Sequence, residues 1–273
     1  MSTLRYVKTL EQVKQAREQN PEFMDSTVRS IRVEYETDPK IYEALIPKPL
    51  ESIGKPEVCV TFSNVQMHIS PEFTFEIGSA IFGVKARYDG EEGIYLITMP
   101  MTTEQAVVPG RETFGEPKKI ADISFERDGD KVTASVARMG MTYLQATGTL
   151  GKELGAREFE QYAYCYKTMP SCEQDKDFDA DPLLVKLQWN QKHENSWLVE
   201  GGELTLSESP MDPVVDVPIR RILRFEYEEG QTESNGRVLR LSLIHISEPT
   251  TPTLSSYAVF CLKKKSRGGG GGG

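Results

Sequence analysis

Apolar and polar residues alternate with a period of two along much of the chain, and that period predicts strands. From Val28 to Tyr35, Ile31, Val33 and Tyr35 fall on one face and Arg32 and Glu34 on the other. The same reading predicts strands over Val58–Val65, Gly93–Met99, Lys131–Ala137, Thr142–Thr149, Tyr162–Thr168 and Leu183–Trp189, with two more around Trp197–Ser207 and Arg221–Tyr227. Thr74–Lys85 is apolar or small on both faces, which predicts a central strand. Helical signals are few. Thr9-Leu-Glu-Gln12 is a capping box opening a short polar helix that Asn20-Pro21 ends. Thr37-Asp38-Pro39 starts a second helix, which runs to about Ile46 and stops at Pro47 and Pro49. Tyr88–Glu92 predicts a turn, and Val107–Lys119 a loop shaped by Pro109, Gly110, Gly115 and Pro117. Many strands and few short helices predict a mainly β fold, a barrel or a β-rich α+β arrangement, with residues 1–240 as a single domain.

Composition supports a packed core, with 38% hydrophobic and 9% aromatic residues. No apolar run approaches the roughly 20 residues that span a bilayer, and the first twenty residues lack a signal-like apolar stretch. A cytoplasmic protein without a membrane partner is the expectation. A net charge of −9 argues against a nucleic-acid partner, which would need a basic face. Cys59, Cys165, Cys172 and Cys261 are scattered outside any CxxC unit, so inert thiols and no metal site are expected.

The last stretch reads unlike the rest. Leu241–Thr250 and Ser256–Lys263 both back-translate, in one frame, to a transposase-type sequencing adapter, and a six-glycine run follows. Residues 241–273 are therefore expected to be a non-native, disordered tail, with the natural C-terminus missing. Without them the body has 28 basic and 40 acidic residues, a net of −12.

Three features carry candidate chemistry. Arg29 shares strand parity with Ile31, Val33 and Tyr35, so its guanidinium points to the apolar side and needs an anion, unless the strand begins after it and the side chain is solvated. Glu76 shares a face with Gly78, Ala80, Phe82 and Val84, which makes it a desolvated carboxylate, either functional or held in a buried salt bridge. Finally, Gly110-Arg-Glu-Thr-Phe-Gly-Glu-Pro-Lys118-Lys119 is a shaped loop ending in two lysines. Such a pair is usually a solvated surface feature. In a poorly solvated pocket, mutual repulsion frees one amine to attack a carbonyl, an activation for which acetoacetate decarboxylase is the standard example.

Gly110-Arg111-Glu112 followed by Pro117-Lys118-Lys119 resembles the signature of the acetoacetate decarboxylase family. So do Tyr35-Glu-Thr-Asp-Pro39, Leu45-Ile-Pro-Lys-Pro-Leu50, Phe75-Glu76-Ile-Gly78, Ala137-Arg-Met-Gly140 and Val214-Val-Asp-Val-Pro218, all in family order between about Val28 and Arg240. The resemblance implies a β-rich barrel and a homo-oligomer. It makes Lys118 the Schiff-base lysine, Lys119 its pKa-lowering neighbour, Glu76 a site acid/base and Arg29 the carboxylate-binding cation. Two positions depart from the decarboxylases: Thr61 stands where they carry a second acid, and Glu116 where they often carry an aromatic residue. The reaction implied is cofactor-free decarboxylation of an acetoacetate-like β-keto acid, releasing CO2 and a ketone. The alternatives are Schiff-base aldol or dehydration chemistry on a keto acid, and a noncatalytic small-ligand barrel.

Overall fold

The alternating segments become the strands of one sheet in the computed structural model, which describes residues 6–19, 24–70 and 73–239. The predicted tail and Asn20-Pro21 lie outside these residues. In chain order the strands are β1 (Met24–Glu36), β2 (Glu57–Ser70), β3 (Phe73–Tyr88), β4 (Glu91–Met101), β5 (Lys118–Ile120), β6 (Asp122–Asp128), β7 (Lys131–Arg138), β8 (Met141–Glu153), β9 (Arg157–Lys167), β10 (Leu183–Leu206) and β11 (Arg221–Leu239). Three helices, α1 (Leu10–Gln19), α2 (Pro39–Leu45) and α3 (Glu104–Pro109), and a π-helical turn at Gly110–Phe114 interrupt them.

Both predicted helix starts are built as their caps require. Thr9 N donates to Gln12 Oε1 (2.8 Å) and Gln12 N to Thr9 Oγ1 (3.2 Å), closing the capping box of α1. Asp38 accepts from Lys40 N (2.8 Å) and Ile41 N (3.4 Å) ahead of Pro39, and these bonds hold its carboxyl below the usual range.

The strands run β1-β2-β3-β4-β9-β10-β11, and β11 pairs with both β10 and β1, so this path closes into a barrel. Every step is antiparallel except β4–β9. An arm of β8, β7 and β6 extends from the second half of β10. β3 is central, as its two-faced apolar pattern predicts. Arg32 Nη2 donates to Gln161 Oε1 at 3.2 Å, linking β1 to β9. These strands are not neighbours, so the bond crosses the lumen and identifies the inward faces. Cys59, Ile77, Leu96, Met99, Cys165 and Leu187 line that interior with Ala106 and Val107 of α3. The opposite faces, among them Ile31, Val33, Tyr35, Val60 and Phe82, pack with Val132, Val136 and Leu144 of the arm. Tyr35 is fully buried there and its hydroxyl donates to Val217 O at 2.8 Å. A barrel therefore forms because β1–β4 carry apolar residues on both faces, one for the lumen and one for the arm.

Two differences from the sequence reading matter for the site. The Trp197–Ser207 and Leu183–Trp189 strands are one 24-residue strand, β10, carried through a bulge between His193 and Asn195. The Val107–Lys119 loop is instead the end of α3, a π turn and the start of β5. Pro109 sits in the last turn of α3, where it changes the hydrogen-bond spacing without ending the helical path.

Candidate active site

The segment joining β4 to β5 packs Ala106, Val107 and Phe114 into the lumen and leaves Val108, Glu112 and Thr113 exposed. Phe114 reaches β11, where a Cβ on Gly236 would lie 2.8 Å from its Cδ1. Phe114 O accepts from Cys165 Sγ (3.4 Å), and Thr113 O from Lys167 Nζ (3.1 Å), both on β9. Gly115 presses against the Lys167 backbone in a left-handed conformation, φ +74°, that L side chains rarely adopt. Pro117 O then accepts from Met99 N (3.0 Å), and β5 runs parallel to β4 with Lys118 opposite Met99.

Strand alternation sends the two lysines to opposite faces. Lys118 Nζ is 2.8 Å from Glu116 Oε2, with side chains 13% and 7% exposed. Both atoms crowd Gly110: a Cβ there would lie 2.3 Å from Glu116 Oε2 and 2.7 Å from Lys118 Nζ. Arg111 Nη1 donates to Lys118 O (3.0 Å), fixing the strand that presents the amine. Cys165 adjoins the pair, and burial, then the Glu116 charge, push its thiol well up. Burial likewise pushes Cys59 up to about 12. Both are inert as nucleophiles near neutrality.

Lys119 faces the arm. Its Nζ is 2.7 Å from Asp212 Oδ1, and Arg138 Nη1 holds the other oxygen at 2.6 Å. Burial pulls Lys119 below the ordinary lysine range, opposed by its bond to Asp212. The expected pairing of two ammonium groups in one pocket is therefore corrected: side-chain direction separates them.

The structure does not bring Arg29 or Glu76 to Lys118. Both are exposed, against the expectation of burial. Arg29 does share a face with Ile31 and Val33, but the cover over that face ends before it. Arg29 Nη2 donates to Asn64 Oδ1 (3.4 Å), and Asn64 Nδ2 to Glu76 Oε1 (2.8 Å), on the outer side of the barrel.

Charged residues that sequence reasoning did not single out occupy the lumen instead. Arg32 is buried, its Nε 3.3 Å from Glu228 Oε2, which also lies 3.5 Å from His193 Nδ1. Arg157 bridges Glu226 and Glu228, and Phe159 lies beneath the Arg32 guanidinium at 5.4 Å. Thr61, paired with Arg32, and a Ser30–Ser63 hydrogen bond of 2.7 Å complete a polar belt. The signal was present in the pattern: Arg32 and Glu34 have opposite parity to Arg29, and that parity is the lumen. A separate cavity of about 410 Å³ is lined by Glu34, Glu57, Lys85 and Arg224 and includes neither lysine of the pair. No helix among the described residues is long and apolar enough to cross a membrane, and no metal-holding cluster of His, Cys, Asp or Glu occurs among them.

Comparison with known proteins fits this architecture. The acetoacetate decarboxylase from Ralstonia nicotianae is 26% identical over 208 residues, 70% of this chain and 77% of that protein. The CLA biosynthesis isomerase of Lactiplantibacillus plantarum is 33% identical over 131 residues, only 47% of this chain and 46% of that protein. The crystal structure of acetoacetate decarboxylase from Legionella pneumophila superposes with a TM-score of 0.67 at 20% identity, covering 86% of this chain and 98% of that one. The enduracididine biosynthesis enzyme MppR, complexed with the condensation product of pyruvate and imidazole 4-carboxaldehyde, gives 0.68 at 15% identity, covering 80% and 90%. Residues 10–241 match the acetoacetate decarboxylase family itself, and the chain belongs to that family.

Proposed function

We propose that this protein is a lysine Schiff-base enzyme that decarboxylates an acetoacetate-like β-keto acid. The observation that carries the reading is the Lys118 amine, largely buried with the Glu116 carboxylate at 2.8 Å and packed against Gly110. In its neutral form this amine can add to a ketone. The resulting iminium accepts the electron pair released as the C–C bond to CO2 breaks, giving an enamine. Protonation at carbon and hydrolysis of the imine return the ketone and Lys118. Met99, Cys165 and Phe114 belong to the apolar cluster of the lumen, and a poorly solvated site favours loss of a carboxylate. Lys119 acts at a distance, bracing β5 through Asp212. Arg29 and Glu76 support the outer wall in this reading, and Arg32, held by Glu228 and Gln161, belongs to the polar belt of the lumen. A homo-oligomer is proposed on the family resemblance.

A second reading, condensation or dehydration of a keto acid through the same imine, draws support from the MppR complex with its pyruvate-derived product. It shares Lys118 and releases no CO2. Borohydride trapping with acetoacetate and with pyruvate, followed by peptide mass spectrometry, tests both. A reduced adduct on Lys118 that Lys118→Ala abolishes is the expected result. Headspace CO2 then separates decarboxylation from condensation. No adduct on folded protein with either ketone would sink both readings and leave a noncatalytic barrel.

A further inference from the structure

We propose that Glu116 is the catalytic acid–base of Lys118, a role that rests on the imine reading. The turn before β5 is built to hold it. Lys118 N donates to Glu116 O (2.7 Å) across Pro117, a γ-turn that draws residues 116 and 118 together, and their side chains meet on one side at 2.8 Å. Glu116 N donates to Gly110 O (3.3 Å), tying the carboxylate's own backbone to the π turn. Gly110 has φ −63°, open to any residue, so its glycine is required by space and not by backbone conformation. That space is filled by Glu116 Oε2 and Lys118 Nζ.

Other candidates for the role are elsewhere. Glu76 is exposed on the outer face, Asp212 is committed to Lys119 and Arg138 on the arm side, and Thr61 carries no ionisable group. The Cys165 thiol, pushed well up, holds its proton near neutrality. Glu116 is the only carboxylate within 4.0 Å of the Lys118 amine among the described residues.

The chemistry closes without a further reactant. The Lys118 ammonium gives a proton to the Glu116 carboxylate, leaving a neutral amine and a carboxylic acid. The amine lone pair forms a C–N bond to the ketone carbon, the carbonyl π electrons move to oxygen, and the nitrogen's proton transfers to that oxygen. Glu116 then protonates the hydroxyl of this carbinolamine. The C–O bond breaks, water leaves, and the nitrogen lone pair forms the iminium. Glu116 is again a carboxylate, and the net charge is unchanged. The same group, working in reverse, serves imine hydrolysis.

The test is the rate of borohydride-trapped adduct formation with acetoacetate between pH 5 and 9, for wild type, Glu116→Gln, Glu116→Asp and Lys118→Ala. General acid–base catalysis contributes about 10²–10⁴-fold, so E116Q should label the same lysine at least 100-fold more slowly. Its rate should climb with pH, because the amine must then lose its proton to solvent. E116D should recover part of the rate and a pH profile closer to wild type. E116Q with the wild-type rate and profile would overturn the proposal while leaving the imine reading intact. A wild-type protein that forms no adduct would overturn both. If E116Q fails to fold, E116D labelling at the full wild-type rate overturns the proposal and a rate below it supports it.

Discussion

At Gly110 the missing side chain is what lets an amine and a carboxylate meet. Gly110→Ala is the sharpest residue-scale test, because its clashes fall on the ends of Lys118 and Glu116, which can swing away, and its helical backbone accepts alanine. The expected outcome is a melting temperature near wild type with Lys118 labelling reduced more than tenfold. An unchanged labelling rate would show that the amine does not work in this position. Lys119 predicts the reverse. Lys119→Met leaves Asp212, fully buried, with one of its two cations, and removing one partner of such a pair costs about 3–5 kcal/mol. Urea denaturation should show that loss, while labelling of Lys118 per folded molecule stays within a few-fold. A loss of 100-fold or more would mean that the neighbouring charge acts through the strand. The Lys118 motif was legible in the sequence because it is local. Burial of Arg29 and Glu76 did not follow from their pattern, because parity tells which residues share a face and not how far the opposing layer extends. Ile31 is covered and Arg29, two residues away, is not.

The segment from α3 to β5 shows what limits reading at the scale of elements. Pro109, Gly110, Gly115 and Pro117 signal a break in regular structure, and a loop was the reading they supported. Whether such a segment runs over the surface or into a barrel depends on contacts with β9 and β11, far along the chain. Gly115 makes those contacts possible. A Cβ there would lie 2.3 Å from the Lys167 Cα, a backbone atom that cannot move aside, and φ is +74° besides. Gly115→Ala should therefore cost more than the roughly 1 kcal/mol of a left-handed alanine alone, and should loosen Lys118 as well. The check is denaturation together with labelling. Wild-type values in both would mean that the segment does not depend on this approach. The strands themselves were largely legible, since lumen and outer core each impose a period of two. The β10 bulge was not, because one inserted residue breaks the period just where two strands seemed to meet.

Closure of the barrel by β10 and β11 was beyond the sequence, since no local pattern says which strands pair across nearly the whole chain. Its consequence is a set of charges that only the closed barrel brings together. His193 faces Glu228, Arg32, Arg157, Gln191 and the Phe159 edge inside the lumen. Burial, reinforced by the two guanidiniums and opposed by Glu228, pulls its imidazole below the ordinary value of 6.5. The folded protein therefore holds His193 neutral where the unfolded chain has begun to protonate. The unfolded state then binds more protons, and stability must rise with pH across that window. The contribution is complete above the unfolded value and is lost as pH falls below about 6.5 toward the depressed folded value. Carboxylates also titrate on the acid side, so the decisive quantity is a difference between proteins. His193→Gln keeps a polar side chain in the belt and cannot ionise. Denaturation midpoints of wild type and H193Q should converge as pH is lowered from 7.5 to 5, the wild type losing the advantage that its neutral imidazole confers. Parallel curves across that range would show that the barrel tolerates a charged His193, and that closure imposes no proton linkage on the lumen.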